Sequence, residues 1–471
     1  MEFTARRYQV EGIEHLIQYK RALIPLPGGT GKSCIPLIAS RELGVRTIVI
    51  LCSGNALFTW VKNIHMHRPD LADDMVVIDK TDKRKHVWNR SDPFRYHKSS
   101  GNSAYNDPKF KVVIAKALSF QYDWPHIKYA PDMLILDEPQ KWSRKTKSNT
   151  YKCIREFSES CRHVAALTGN PINKGRQNFW PILHLLNRKK YPSYWRFVQN
   201  YVITNKGAFG VQYEGPKNTP AFREYTKDVI FRSQSEITGL PATLRDVIPV
   251  KMTPKQARLY ESLAEDMIAF LESGELLIVA NTLAKVTRLR QCLVCPMILD
   301  PEIGEYGAGI EATLDHMHED TEERSHCVWA TPFTQAIPYM KEALKKAGHN
   351  KIVTFMHGMT TEDLKLCEQY FRANKDAIAI CSIQFAQSYE LETGNPVYFI
   401  GYDFDPTNNE QMEWRLRRLT NERGFVNAYY IRNLETYDDT QLQMLSDHTI
   451  NTKVDYSDMR ALKASIKGNR L

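Results

Sequence analysis

The chain lacks any apolar run long enough to cross a bilayer; its longest, such as Thr47 to Cys52, stop within a few residues. Its start, Met1 to Arg7, carries two arginines and no apolar core, which does not read as a secretory leader. Low-complexity tracts and short-period repeats are missing too, and with them collagen-like and solenoid architectures. Nine cysteines are scattered over 471 residues, a usage that reads as reduced thiols and not as a disulfide framework. Cys292 and Cys295 have metal-ligand spacing, and His326-Cys327 could be set beside them. A structural zinc needs four ligands, however, and no second spaced pair follows. The expectation is a soluble, cytoplasmic protein without a membrane partner.

What is present is ordinary globular material, 42% hydrophobic and 25% charged, in a chain long enough for two domains. The balance of 63 basic against 54 acidic residues leaves +9, which suits a polyanion partner without proving one. Short apolar runs at Ala22–Leu26, Thr47–Cys52, Lys111–Ala115, Met133–Leu136 and His163–Leu167 alternate with helical stretches. Each is apolar at consecutive positions, as strands buried on both faces are. A second alternating region offers Cys327–Ala330, Lys351–Met356, Ile378–Ser382, Val397–Gly401 and Ala428–Arg432. Between them, an irregular aromatic and basic stretch from Lys174 to Pro249 precedes two helices, Thr253–Ser273 and Leu276–Leu293. The expected fold is α/β, two parallel-sheet domains in tandem with helical insertions between them. The boundaries are 1–240 (with an insertion after 174), 241–310 as linker and helical insertion, and 311–471.

The chemistry collects where strands end, which is where parallel sheets bind ligands. Gly28-Gly29-Thr30-Gly31-Lys32-Ser33 lies between a strand and a helix that begins near Lys32. Glycines there let backbone N–H groups close around phosphate oxygens at a helix N-terminus. Lys32 would reach the β- and γ-phosphates of ATP, and the Ser33 hydroxyl would bind Mg²⁺. Leu26 stands where the full phosphate-loop pattern has a glycine, so only the core of the pattern matches. The strand Met133–Leu136 ends in Asp137-Glu138. Asp137 would hold Mg²⁺ and Glu138 would act as general base on the attacking water. Far downstream, Arg415 and Arg418 sit three apart with Gln411 one turn earlier, hence on one face if the segment is helical. Two guanidinium groups there could stabilise transition-state charge on a γ-phosphate held by the first domain.

In this order the motifs resemble those of superfamily-two helicase-like ATPases, and within that group the Swi/Snf-type DNA translocases. Arg7-Tyr8-Gln9-Val10-Glu11-Gly12 is similar to the family's opening segment, which implies that Gln9 reads adenine. Thr47–Cys52 followed by Trp60 resembles a strand and nucleic-acid-contacting loop. Asp137-Glu138-Pro139-Gln140 resembles the acidic box, which adds Gln140 to the catalytic set. Leu167-Thr168-Gly169-Asn170-Pro171-Ile172 is similar to the element coupling ATP state to DNA grip, with Thr168 as its polar residue. Leu240-Pro241, then Met252-Thr253-Pro254-Lys255-Gln256 and Tyr260, resemble the lobe-joining segment, and Leu289-Arg290-Gln291-Cys292 with Pro296 the element after it. Gln411, Arg415 and Arg418 fall on the last motif, which implies arginine fingers. The resemblance spans residues 5–435 and implies two RecA-like lobes, ATP and Mg²⁺ as cofactors, and double-stranded or branched DNA as partner. It also implies a motor that can work as a monomer. With no reader, nuclease or zinc-ribbon module evident, it resembles the stripped-down motors of viruses and bacteria, which in the viral case would work in the host cytoplasm.

Three positions depart from the family pattern. Pro139 replaces a small residue, Asn170 a threonine, and the stretch from Ser382 to Ser388 stands in place of a glycine-rich motif contacting DNA and ATP. The last bears on coupling more than on ATP binding. A basic, aromatic stretch from Lys80 to Lys111 offers phosphate contact with stacking or, equally, a solvated loop. The leading reading is an ATP-driven translocase on double-stranded DNA. The alternatives are a strand-separating helicase on DNA or RNA, a branch-migration enzyme, and an ATP-dependent clamp without productive turnover.

Overall fold

A computed structural model describes residues 4–78, 104–169, 175–207, 210–237, 239–272, 279–319, 324–386 and 389–446. Most of the Lys80–Lys111 stretch, the 170–174 part of the coupling element, Gln387-Ser388 and the basic tail lie outside them. The chain divides into two compact units between residues 238 and 239. Among the described residues no helix is long and apolar enough to cross a membrane.

The first unit is built on a six-stranded, all-parallel sheet. In chain order its strands are β1 (Arg21–Pro25), β2 (Ile48–Cys52), β3 (Met75–Ile78), β4 (Val112–Lys116), β5 (Met133–Asp137) and β6 (His163–Thr168). In space the order is β1-β6-β5-β2-β4-β3. Alternate residues of each strand feed two cores, one on each face: Leu23, Val49, Leu51, Leu134 and Leu136 on one side, Ala22, Ile24, Ile50, Ile135 and Leu167 on the other. That double burial is why these strands read as unbroken apolar runs.

The flanking helices follow amphipathic spacing. Asn149–Ser160 is capped by the Ser148 hydroxyl, which accepts from Tyr151 N at 3.2 Å, and buries Tyr151, Ile154 and Phe157. Its C-terminal carbonyls are met by Arg21 on β1, which donates to Ser158 O at 2.9 Å and Cys161 O at 2.8 Å. The same guanidinium donates to Leu186 O at 2.6 Å, at the end of the helix Phe179–Leu186. The irregular stretch expected after Lys174 contains the helix Tyr194–Tyr201 and an antiparallel hairpin, β7 (Val202–Gly207) and β8 (Gly210–Pro216). Its far end returns to the sheet margin, where Leu23 N donates to Val229 O at 2.7 Å and Phe231 N to Leu23 O at 2.9 Å.

The second unit carries its own six-stranded parallel sheet. Its strands are β9 (Ala242–Val250), β10 (Val328–Thr331), β11 (Ile352–Phe355), β12 (Ile378–Ser382), β13 (Val397–Phe399) and β14 (Phe425–Asn433), in the spatial order β11-β12-β10-β13-β14-β9. Residues 241–310, expected as linker and helical insertion, do carry the two helices, Pro254–Glu272 and Val279–Val294. They also supply β9, which pairs residue for residue with β14 from Ala242–Phe425 to Val250–Asn433. β9 escaped the sequence reading because it lies at the sheet edge, largely exposed, with charges at Arg245 and Asp246 and a proline at 249. An edge strand tolerates proline where a central one does not. Arg290, from the element after the lobe-joining segment, is buried. It donates to Gln441 Oε1 at 3.2 Å and lies 3.8 Å from the Phe404 ring centre.

Candidate active site

The register of three adjacent strands assembles the first unit's site. Pro25 pairs with Thr168, and Leu167 pairs with Asp137, so β1, β6 and β5 end side by side. The phosphate loop leaves the end of β1 and runs into the helix Cys34–Glu42. Gly29 and Gly31 both adopt left-handed backbone, at φ 82° and 69°, a conformation costly for residues with a Cβ. Thr30 is fully buried and donates from Oγ1 to Pro27 O at 2.8 Å. Its carbonyl accepts from Gln9 Nε2 at 2.9 Å and from the Tyr8 hydroxyl at 3.0 Å. Gln9 also accepts from Arg6 N at 2.8 Å, capping its own helix. The structure thus makes Gln9, 1% exposed, a brace between the first helix and the phosphate loop. Tyr8 shares that work and escaped the sequence reading; its adjacency to Gln9 was the available signal.

Glu138 is the hub. Its Oε1 lies 3.4 Å from Lys32 Nζ and accepts from Gly169 N at 3.1 Å. Its Oε2 accepts from Gln140 Nε2, and from Thr168 Oγ1 at 3.4 Å. The backbone at Glu138 is left-handed, φ 48°, and its N–H donates to Leu167 O at 2.8 Å. A non-glycine residue held there stores of order 1 kcal/mol or more. The bonds from β6 and the following turn hold it in place, and Pro139 locks the step into the short helix Gln140–Ser143.

The proton affinities of the two carboxylates are shifted in opposite directions. Burial raises Asp137, and the neighbouring Glu138 charge raises it further, against the opposing pull of Lys32 and the Trp60 hydrogen bond. Burial pushes Glu138 up as well, but Lys32, Lys141 and the bonds from Gln140 and Gly169 outweigh it and hold Glu138 below the usual carboxylate range. Lys141, which the sequence reading missed, therefore acts on both. Asp137 is left as the group that gains most from a cation, and Glu138 as a carboxylate kept ionised.

Two sequence expectations are corrected here. Trp60 was placed in a nucleic-acid-contacting loop; it lies instead in the helix Leu57–His67, 1% exposed, with its indole N–H donating to Asp137 Oδ2 at 3.1 Å. Helical spacing turns it into the core beside Val61 and Ile64, so it acts on the acidic pair. Ser382 opens the stretch expected to serve nucleic-acid contact or coupling, and burial excludes direct contact by its side chain. It closes β12 opposite Thr331 and is 2% exposed, because the strand is buried on both faces through its last residue.

In the second unit, Gln411 and Arg415 belong to the helix Pro406–Leu416. Gln411 is buried, and its carbonyl accepts from Arg415 Nε at 3.4 Å. Arg415 Nη1 also donates to Tyr389 O at 3.2 Å. Arg418 is not on that helix face. The helix ends at Leu416, whose carbonyl accepts from Asn421 Nδ2 at 3.1 Å, while Arg417 turns away to donate to Pro241 O at 2.6 Å. Arg418 Nε is buried without a hydrogen bond among the described residues.

A phosphate loop, a lysine-paired acid at the neighbouring strand end and a threonine bridging to that acid form one connected network. The SNF2-related domain matches residues 9–298 of the chain. The chain belongs to that family of ATPases. Residues 299–471, with Gln411, Arg415 and Arg418, lie beyond the matched range. Among curated proteins the chain is similar to Protein CHROMATIN REMODELING 5 of Arabidopsis thaliana, at 20% identity over 99% of this chain and 28% of that protein. It is similar also to the chromatin-remodeling ATPase INO80 of Pyricularia oryzae, at 24% identity over 41% of this chain and 10% of that protein. The chain therefore spans under a third of the length of these relatives. Among solved structures it is similar to the Sulfolobus solfataricus SWI2/SNF2 ATPase core in complex with dsDNA, at 16% identity and TM-score 0.42, over 99% of this chain and 97% of that one.

Proposed function

We propose that the chain is an ATP-driven translocase on double-stranded DNA, with hydrolysis centred on the Lys32–Glu138 network. Lys32 and the loop N–H groups receive the phosphates, and Glu138 takes the proton of the water that attacks the γ-phosphorus as ADP leaves. Thr168 and Gly169, bonded to Glu138, would pass the state of the site to the chain that follows β6. Arg415 and Arg418 are proposed to stabilise transition-state charge.

The donor set suits Mg²⁺: one hydroxyl from Ser33 and one carboxylate from Asp137, hard oxygens of the kind that share Mg²⁺ with phosphates and waters. When bound, the ion would screen phosphate charge. Asp137, raised by burial, would be drawn back to its ionised form beside it, with Trp60 fixing its orientation.

DNA contact would be mainly to phosphates, tolerant of sequence and sensitive to salt. The observation that carries the reading is the single cluster in which Glu138 is ion-paired to Lys32 and hydrogen-bonded to Gln140 and Thr168. The test is steady-state ATP turnover without nucleic acid, with single-stranded DNA and with blunt duplex DNA, for wild type and Lys32→Ala. Strong duplex stimulation that Lys32→Ala abolishes supports the reading, and wild-type turnover in Lys32→Ala overturns it.

A further inference from the structure

The insertion after β6 leaves aromatic rings at its surface in a fixed arrangement. The helix Tyr194–Tyr201 packs against β7. The Tyr194 hydroxyl donates to the Tyr213 hydroxyl on β8 at 2.9 Å, tying helix to hairpin. The Tyr194 ring stands edge-on to Trp180 at 5.4 Å and to Trp195 at 5.3 Å. Trp180 is buried in the first unit's core, whereas Trp195 is 55% exposed and Tyr213 38%. Ile203 and Val211 on the hairpin are exposed as well, at 43% and 41%. The rings form a chain anchored in the core at one end and open to solvent at the other.

Charge identifies the occupant. Between Arg188 and Asp228 stand eight basic residues and three acidic ones; Arg188, Lys190 and Lys227 are paired with Glu159, Asp228 and Glu224, which leaves a surplus of positive charge in the segment. Arg196, exposed, follows Trp195 directly. Exposed rings beside Arg196, in a segment of net positive charge, fit a ligand that presents aromatic faces on an anionic backbone. In duplex DNA those faces are stacked inside; in single strands they are available.

We infer that the Trp195–Tyr213 face is a stacking platform for the bases of single-stranded nucleic acid, with Arg196 meeting the adjoining phosphates. This deepens the nucleic-acid part of the proposed function and is independent of ATP turnover. It gives the protein a grip on unpaired strands beside its proposed grip on duplex.

The test uses the full chain and fluorescein-labelled oligothymidylate, oligouridylate and blunt duplex DNA, read by anisotropy. Trp195→Ala and Tyr213→Ala should each weaken oligothymidylate binding about tenfold, with duplex binding unchanged. Trp195→Phe, which keeps a ring, should restore most of it. Comparison with oligouridylate tells DNA from RNA as the preferred strand. Wild-type oligonucleotide binding by both alanine variants, equal losses on single strand and duplex, or a change confined to self-association in sedimentation would each overturn the platform. Lys32→Ala separates the two readings: it should stop turnover while binding oligothymidylate as wild type does. Wild-type turnover in Lys32→Ala overturns the active-site reading alone, and wild-type oligothymidylate binding by both alanine variants overturns the platform alone.

Discussion

Lys32 Nζ stands 3.4 Å from Glu138 Oε1, so the cation assigned to phosphate and the carboxylate assigned to water are charge partners. Both side chains are mostly withdrawn from solvent, at 15% and 20% exposed, where such a pair is screened less than at the surface. Removing Lys32 removes the largest charge that holds Glu138 below the usual carboxylate range.

Lys32→Ala and Glu138→Gln should therefore fail differently. Glu138→Gln removes the general base, and turnover should fall by about 10²–10⁴-fold with nucleotide affinity largely kept. Lys32→Ala should weaken nucleotide binding as well, because the phosphate ligand is gone. Equilibrium dialysis with a slowly hydrolysed ATP analogue, run beside steady-state turnover, separates the two.

The pH profile should carry the opposite shifts of the acidic pair. As pH falls, Glu138 stays ionised through the usual carboxylate range because its proton affinity is lowered, whereas Asp137, raised by burial, protonates first. The acid limb of turnover should then follow Asp137, and higher Mg²⁺ should move it to lower pH, since the ion favours the charged form. An acid limb insensitive to Mg²⁺ would count against Asp137 as its ligand.

Trp60→Phe keeps a buried ring but removes the N–H that Asp137 accepts. The expected result is a raised Mg²⁺ requirement, by about 10- to 100-fold, with little change in DNA affinity. The loss of one hydrogen bond to a charged group, about 1.5–3 kcal/mol, sets that scale. A DNA-binding defect at unchanged Mg²⁺ requirement would restore Trp60 to the nucleic-acid surface.

Arg415→Ala should lower the turnover number by about 10³-fold or more with a smaller effect on nucleotide binding, as expected for a group that acts on transition-state charge. Arg417→Ala serves as the comparison, since Arg417 is engaged with Pro241 O and should leave chemistry nearly intact. Equal losses in the two would indicate damage to the helix end.

Glu413 offers a stability test within the second unit. Its carboxylate, 1% exposed, receives Arg245 Nε at 2.7 Å and Nη2 at 2.6 Å, and the Tyr430 hydroxyl at 2.8 Å. Arg245→Ala leaves a buried carboxylate without its cation; with the Arg245 side chain itself 54% exposed and the Tyr430 bond kept, the cost should be about 1–3 kcal/mol. Adding Glu413→Gln should recover part of that. Denaturant unfolding of the two single variants and the double variant gives the coupling, and strict additivity would mean the pair is not an energetic unit.

Much of this was legible in the chain itself. β1, β2, β4, β5 and β6 announced themselves as runs of consecutive apolar residues, because burial on both faces leaves no room for polar alternation. The phosphate loop and the acidic pair were legible for a local reason: left-handed glycines and paired carboxylates are properties of neighbouring residues. Other features depend on partners far away in sequence, and only the tertiary structure decided them. The β1–β6–β5 register sets Thr168 against Glu138. Helix orientation hides Trp60 behind Asp137. Asn421 ends the helix at Leu416 and takes Arg418 off the face it seemed to share with Arg415. β9 is a strand because β14 is beside it; its own residues, exposed and interrupted by Pro249, carry too little burial to say so.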